Sequence, residues 1–394
     1  MAKYRIWIRA DYNDTYGMLN LMRGIALAEA AVWEKLDEVH LLTSPPAEKV
    51  LNAHNLRGVS VEISEKSISV EEDLARLISL ISPYVPTRID SRSTRPLVYL
   101  CGSKYDVQFQ KTLWKKGIET VVIQDWAQQS YADWCVLPSP YGGEVDIKTL
   151  NGYTHFLRGS HYAPLRFSTI KAILKQRHHP TYAHHFAIAT ENLDLAKWLP
   201  LIAESISQIT PPTYVSEKWT PQLTLFASPF CPSDDELKQI AGDTVKVNIY
   251  NDRLHYEDGL RATDLLFASD GIILQEALAL GTPLISLPSR SVNLDYMHDH
   301  LVRRQVSIPL PENNDMFIGK LAAELSRISF EPSYLRAQSR IGQYLCDGMG
   351  SLRIIRQTVF KKYRIPQNLA RYFEPGDPEI KDLDLFPKGE EKCS

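Results

Sequence analysis

The stretch that decides the fold is ATDLLFASDGIILQEALALGTPLISLP, residues 262–288. An apolar run ends in the small residues of 268–271, a helical pattern follows, and a second apolar run starts at Pro283. Gly281 stands where helices commonly end in a left-handed residue. The pattern predicts a strand, a helix and a second strand. Small residues at a strand end let the backbone approach a ligand, and the N–H groups that open the next helix can bind phosphate oxygens.

Glu276 lies one and a half turns into this helix, on a face that is otherwise apolar. A carboxylate at that position can accept hydrogen bonds from both hydroxyls of a ribose. The alternative is an ordinary strand–helix–strand unit with Glu276 solvated on its outer face, because a fold does not by itself imply a function. The pattern leaves both interpretations open.

The same alternation of apolar runs and amphipathic stretches continues along the chain and is typical of an α/β protein. The runs are apolar on both faces, as in a parallel sheet covered by helices. We predict two Rossmann-like, doubly wound domains that face a cleft, with ligands outside the carboxyl ends of the strands. The predicted strands are 4–10, 38–44, 95–102, 118–125, 132–139 and 154–159, then 185–190, 222–228, 244–250, 264–269 and 283–288.

The breaks in this rhythm predict the domain boundaries. A basic stretch with two histidine pairs separates the halves, and the end of the chain is rich in proline and charge. The predicted parts are a first domain (1–165), a crossing (166–184), a second domain (185–330), closing helices (331–364) and a tail (365–394).

The composition restricts the classes of function. The chain has 394 residues, enough for two domains with full cores, and a net charge of −3. This charge gives no electrostatic case for nucleic acid as a partner. No apolar run reaches about 18 residues, so we expect no membrane span. Arg5 and Arg9 interrupt the N-terminal apolar stretch, so we expect no signal peptide and predict a cytoplasmic protein.

The cysteines and histidines give no metal-ligand pattern. None of the five cysteines forms a C-x-x-C pair, and Cys101 and Cys135 lie in apolar runs typical of buried thiols. The histidine pairs at 178–179 and 184–185 have no carboxylate or cysteine at ligand spacing, and we interpret them as part of a solvated linker. We therefore predict no metal site and no cofactor.

Residues 268–288 resemble the donor-nucleotide segment of GT-B glycosyltransferases, in which small residues precede the pattern x-x-x-E-A-L-x-L-G-x-P. The segment also resembles that of a hydrolase in pseudaminic acid synthesis, which releases UDP from a UDP-linked sugar, and of its spore-coat polysaccharide relatives. Three further segments carry this resemblance in the same order. They are IRAD (8–11) with Gly17, Arg23 and ALAEA (26–30); Asp125 with YADWCVLPS (131–139); and LRGSHYAPLRFS (157–168).

The resemblance implies a bacterial protein with a GT-B-like fold, whose second domain binds a UDP-type sugar nucleotide and whose first domain faces the sugar and an acceptor. It also implies a set of binding residues, of which Asn293 has an alternative role as a helix N-cap. The implied residues are Gly17, Asn20, Arg23, Asp125, Tyr162, Ser269, Asp270, Gly271, Glu276 and Asn293.

The chain departs from the hydrolase pattern at Asn20. The hydrolase family carries there a histidine proposed to activate water, and an asparagine amide cannot take up a proton near neutral pH. We expect Asn20 to bind a sugar hydroxyl or carbonyl. Asp11, Asp14 and His161 are the candidates for another base. For each an alternative stays open: Asp11 as a brace for loop N–H groups, Asp14 as a cap, and His161 as a surface histidine.

The missing histidine favours transfer of a glycosyl group to an acceptor over hydrolysis. We therefore predict metal-independent glycosyl transfer from a nucleotide sugar, in surface glycan or sugar biosynthesis, with an acceptor that the sequence does not name. Two alternatives stay open, a UDP-sugar hydrolase and a non-catalytic nucleotide-sugar-binding or scaffold protein.

Overall fold

The computed structural model describes residues 3–361 apart from 13–17, 46, 53, 55, 65–68, 87–93, 126–128, 176, 178, 190–192, 216–218, 228–230, 243, 251–254, 270, 289–294 and 312–313. Four predicted site residues lie outside the described residues: Asp14, Gly17, Asp270 and Asn293.

Strands and helices alternate along the described chain. The strands are β1 (Lys3–Ala10), β2 (Val39–Thr43), β3 (Ser60–Ile63), β4 (Thr94–Cys101), β5 (Glu119–Ile123), β6 (Gln129–Ser130), β7 (Trp134–Leu137), β8 (Lys148–Thr149), β9 (His155–Arg158), β10 (His185–Ala189), β11 (Gln222–Phe226), β12 (Val247–Ile249), β13 (Leu265–Ala268) and β14 (Leu284–Ser286). The α-helices are α1 (Leu19–Trp33), α2 (Glu48–Leu51), α3 (Val70–Ile81), α4 (Val107–Lys115), α5 (Phe167–Ile173), α6 (Leu195–Ser207), α7 (Asp234–Ala241), α8 (Glu257–Ala262), α9 (Ile272–Leu280), α10 (Asp295–Arg303), α11 (Phe317–Ser329), α12 (Pro332–Leu345) and α13 (Gly350–Phe360).

Two parallel sheets organise the halves of the chain. The first has the order β3-β2-β1-β4-β5-β7-β9, and the second has the order β12-β11-β10-β13-β14. In each sheet the strand order reverses beside the first strand, between β1 and β4 and between β10 and β13. A doubly wound sheet binds ligands at such a reversal, outside the carboxyl ends of its strands.

Helices cover both faces of the first sheet. Ile6 and Ile8 face α1, while Trp7 points to the opposite face and packs with α4. A Cβ atom on Gly24 of α1 would lie 2.5 Å from the Cβ of Ala10, so a glycine allows this helix to approach the strand closely. The buried carboxyl end of β1 is fixed in this way against the helix that follows it.

The last helices contact both halves of the chain. α12 packs on α9 of the second half, and α13 packs on α1 of the first. Thr358 Oγ1 lies 2.5 Å from the Tyr99 hydroxyl of β4, and Arg356 Nε donates to Glu34 at 2.6 Å. The segment predicted to close the chain therefore ties the first sheet to the second, while the domain boundaries themselves stay a prediction.

The predicted strands are confirmed. The predicted crossing contains the helix α5, and its His184 is exposed as expected of a solvated linker. His185 is not solvated in this way: it begins β10 and bonds to Thr224 Oγ1 and to the Ala262 carbonyl at 2.9 Å each. The sequence did not predict β3, which lies at the sheet edge without a buried residue, or the two-residue strands β6 and β8. Cys101 and Cys135 are buried as predicted, and burial raises the pKa of each thiol to about 12.

Candidate functional site

The carboxyl edges of the two sheets meet at α10. His300 Nδ1 of this helix lies 3.0 Å from Glu144 Oε1, and Arg303 Nη2 lies 3.4 Å from Glu144 Oε2. Glu144 follows β7 of the first sheet, whereas α10 follows β14 of the second. The region between these edges is the candidate site.

Asp11 follows β1 directly and is held by groups of the first half. Its carboxylate accepts hydrogen bonds from Lys104 Nζ (2.6 Å), the Ser44 backbone N–H (2.7 Å) and the Arg9 guanidinium. Burial alone would raise the pKa of Asp11, but Arg9 and Lys104 hold it below its usual value. A carboxylate with a lowered pKa is a weak proton acceptor, so these contacts favour the alternative that Asp11 braces the loop.

Three charged residues in this network were missed by the sequence reading. Arg9 Nε donates to the buried Asp73 of α3 at 2.7 Å, and Lys104, which is 33% exposed, lies 3.2 Å from the same carboxylate. Arg9 lies inside the strand β1, together with the equally charged Arg5, so its sequence position does not single it out as a site residue. Lys104 follows β4 and is the exposed cation of the network, so a strand-end position was the signal that could have found it.

Arg23 and Asp125 form a buried, two-pronged ion pair. Arg23 Nη1 and Nη2 each donate to one Asp125 oxygen at 2.7 Å, and Ser139 Oγ also donates to Asp125. Burial would raise the pKa of Asp125, but Arg23 and Ser139 lower it overall. Arg23 is fully buried, so in this conformation its guanidinium neutralises Asp125 rather than facing the cleft.

Asn20 is 4% exposed and lies over the end of β4. A Cβ atom on Gly102 would be 2.9 Å from Asn20 Nδ2, and Gly102 has a φ of +127°, which favours glycine. The side chain at the position of the hydrolase histidine is therefore packed against the backbone that follows β4. The described contacts of Asn20 do not test its predicted hydrogen bond to a sugar hydroxyl or carbonyl.

A second charge cluster joins the two halves around Arg166. The guanidinium donates to Glu276 Oε1 from Nε (3.1 Å) and Nη2 (3.0 Å), and Nη2 also lies 3.0 Å from Glu257 Oε1. Thr169 Oγ1 donates to the same Glu276 oxygen at 2.8 Å. Glu29 of α1 accepts the Phe167 N–H at 2.8 Å beside this cluster.

Glu276 is fully buried, so the alternative of a solvated outer-face residue is wrong. Burial raises the pKa of Glu276 above its usual value despite the attraction of Arg166. Both carboxylate oxygens accept bonds from Arg166. A ribose could therefore reach this carboxylate only if Arg166 moved away from it.

Ser269 and Gly271 flank the undescribed residue 270 where β13 passes into α9. Ser269 is buried, and α9 begins at Ile272, directly after Gly271. Gly281 ends the helix with a left-handed φ of 69°, as predicted. The predicted strand end with small residues and a helix start is present, beside the strand-order reversal of the second sheet.

His161 and Tyr162 lie against the closing helices. His161 Nδ1 is 4.0 Å from Asp347 Oδ2, and the Tyr162 hydroxyl accepts a bond from Gln357 Nε2 at 3.2 Å. The His161 side chain is 49% exposed. Neither residue has a hydrogen bond to Asp11 or Asn20 among the described contacts.

Within the described residues, no group of three or more His, Cys, Asp or Glu side chains is arranged to hold a metal ion. None of the described helices is long and apolar enough to cross a membrane.

No protein-family model and no curated protein matches the sequence. Among solved structures, MurG of Acinetobacter baumannii aligns with a TM-score of 0.57 and 10% identity, over 91% of this chain and 100% of MurG. The calicheamicin glycosyltransferase CalG4 aligns with a TM-score of 0.54 and 10% identity, over 95% of this chain and 100% of CalG4. The UDP-GlcNAc 2-epimerase of Neisseria meningitidis, bound to UDP-GlcNAc, aligns with a TM-score of 0.54 and 12% identity, over 91% of this chain and 100% of the epimerase.

These similarities at low identity concern the fold. The chain has the predicted α/β fold, with two Rossmann-like halves arranged as in GT-B proteins.

Proposed function

We propose that this chain is a metal-independent glycosyltransferase that uses a UDP-type sugar nucleotide, in surface glycan or sugar biosynthesis. The second half would hold the nucleotide, and the acceptor would enter from the first half. The observation that carries the proposal is the start of α9 after the small residues that end β13, at the strand-order reversal of the second sheet. Backbone N–H groups at that point can bind a diphosphate and stabilise it as a leaving group.

Two features of the solved structures support a UDP-type donor. The epimerase of Neisseria meningitidis was solved with UDP-GlcNAc, and UGT2 of Phytolacca americana with UDP-2-fluoro-glucose and pterostilbene. The segments that resemble the pseudaminic-acid-pathway hydrolase support the same nucleotide. A UDP-sugar hydrolase is the second candidate, and the amide at Asn20, which cannot accept a proton, counts against it.

A panel of nucleotides tests the proposal by thermal shift. We expect UDP to raise the melting temperature, because a ligand that binds only the folded state stabilises it by an amount that grows with the logarithm of one plus its concentration over Kd. Release of UDP from UDP-sugars, with and without acceptor sugars, then separates transfer from hydrolysis. If UDP binds but is not released from any UDP-sugar, the alternative of a non-catalytic nucleotide-sugar-binding or scaffold protein is supported. If no nucleotide raises the melting temperature, the proposal is refuted. Activity that is unchanged by EDTA would support its metal-independent form.

Glu276→Ala tests where the ribose binds. If the Glu276 carboxylate leaves Arg166 to accept the ribose hydroxyls, UDP affinity should fall by about 1–3 kcal/mol. UDP affinity equal to that of the wild type would assign Glu276 to the ion pair alone. Because the substitution also unpairs Arg166, Thr169→Val is the matched control, since it removes one hydrogen bond to the same carboxylate and leaves the ion pair in place.

A further inference from the structure

A hydroxyl–imidazole network lies at the carboxyl end of β14. The Ser286 hydroxyl, on the last residue of the strand, is 2.7 Å from His298 Nδ1 and 2.9 Å from Ser307 Oγ. Ser307 Oγ accepts the Ser286 backbone N–H at 2.7 Å and donates to the Ile308 carbonyl at 3.1 Å. None of these residues is among the site residues predicted from the sequence.

The hydrogen bonds assign the tautomer of His298. Ser307 uses its one hydroxyl proton on Ile308, so the Ser286 hydroxyl donates to Ser307 Oγ. A lone pair of Ser286 Oγ is then left to accept a hydrogen bond from the Nδ1–H of His298. In the neutral ring Nε2 consequently carries the free lone pair, and Nε2 has no hydrogen-bond partner among the described residues.

The helix that carries the imidazole lies between the two halves. Ser286 pairs in register with Ala268, the last residue of β13, and α9 begins at Ile272. The helix that carries His298 also contacts Glu144 of the first half through His300 and Arg303. The half-buried His298 ring is therefore at the carboxyl edge of the second sheet, one strand away from the start of α9.

We propose that His298 contacts the diphosphate of the donor through Nε2, with Ser286 as the positioning residue that holds the ring. This inference rests on the proposed function, because it requires an anionic donor at this edge. On binding, Nε2 takes up a proton from solvent and donates it in a charge-assisted hydrogen bond to a phosphate oxygen, while Nδ1–H stays bonded to Ser286. His298 thereby adds a cation at the point where negative charge grows as the diphosphate leaves.

The test compares UDP with uridine, which shares the base and ribose but lacks the phosphates. In His298→Asn we expect UDP affinity to fall by about 10-fold to 100-fold and uridine affinity to be unchanged. Ser286→Ala should weaken UDP binding less than His298→Asn does, because the imidazole is still present but has lost the hydrogen bond that orients it. His184→Asn is the matched control. His184 is exposed and lies directly before β10, at the amino ends of the strands of the same sheet, whereas His298 is at their carboxyl ends.

A second measurement does not depend on affinity. In proton NMR spectra we expect UDP, but not uridine, to shift the ring resonances of His298. Equal UDP affinities of His298→Asn and the wild type, or equal losses for UDP and uridine, would overturn the inference alone. If the wild type binds no nucleotide, the proposed function fails and this inference fails with it.

Discussion

Replacing Arg166 with methionine should destabilise the fold strongly at neutral pH. Arg166 is 1% exposed and bonds to both oxygens of Glu276, which is fully buried, and to Glu257. Removing one partner of a buried ion pair costs about 3–5 kcal/mol, because the remaining charge stays buried without compensation. We expect Arg166→Met to lower the free energy of unfolding by an amount in this range, because Glu276 and Glu257 both lose this cation.

The size of the loss should depend on pH. Burial already raises the pKa of Glu276 and of Glu29 above their usual values in the folded protein. A raised carboxyl pKa means that the folded state binds protons more tightly than the unfolded state, so ionisation of these groups disfavours folding as the pH rises. Without Arg166 both pKa values rise further. The difference between variant and wild type should therefore be largest near neutral pH and shrink as the pH falls toward the ordinary pKa of glutamate, about 4.3.

Urea unfolding followed by circular dichroism at several pH values measures both effects. Arg327→Met is the matched control, because Arg327 pairs with Glu324 and Glu331 on the surface and its side chain is 47% exposed. Such exposed pairs contribute about 0–1 kcal/mol. A loss for Arg166→Met no larger than that of the control at neutral pH, or a loss that grows as the pH falls, would refute the reasoning.

Two further substitutions test the buried charges separately. Glu29→Gln should raise the melting temperature at neutral pH. It removes a carboxylate whose pKa is raised by burial and keeps an oxygen that accepts the same backbone N–H. A lower melting temperature would show that the negative charge of Glu29 is needed. Asp125→Asn should cost about 3–5 kcal/mol at neutral pH. Because the pKa of Asp125 is lowered, its pairing with Arg23 stabilises the fold above the unfolded pKa and is lost as the pH falls through the folded one, so this cost should shrink in acid. A cost that is the same at both ends of the pH range, measured by the same urea series, would contradict it.

Local patterns predicted the frame of the fold. The apolar runs located the strands of both sheets, and Gly281 located the end of α9, because both signals lie within a few residues of the feature they predict. The edge strand β3 was missed because it has no buried residue and so no apolar run.

The partners of the site residues could not be predicted in the same way. The sequence marked Glu276 as a carboxylate in an apolar helix, but its cation, Arg166, lies 110 residues earlier in the chain. Likewise the Nδ1 acceptor of His298 is a serine at the end of another element. Which residue neutralises a buried charge depends on how the two halves pack, and no local periodicity encodes that packing.

The pairing of charges also answers an objection to an anionic donor at this site. Several strand ends carry aspartates, and unpaired carboxylates would repel a diphosphate. Among the described residues, the strand-end aspartates Asp11 and Asp125 each have a cation: Asp11 and the helical Asp73 share Arg9 and Lys104, and Asp125 pairs with Arg23. The network consists of Arg9, Asp11, Asp73 and Lys104. The opposite charges of these described residues therefore balance one another. The same pairing makes Asp11 a weak proton acceptor, whether the proton would come from water or from an acceptor hydroxyl.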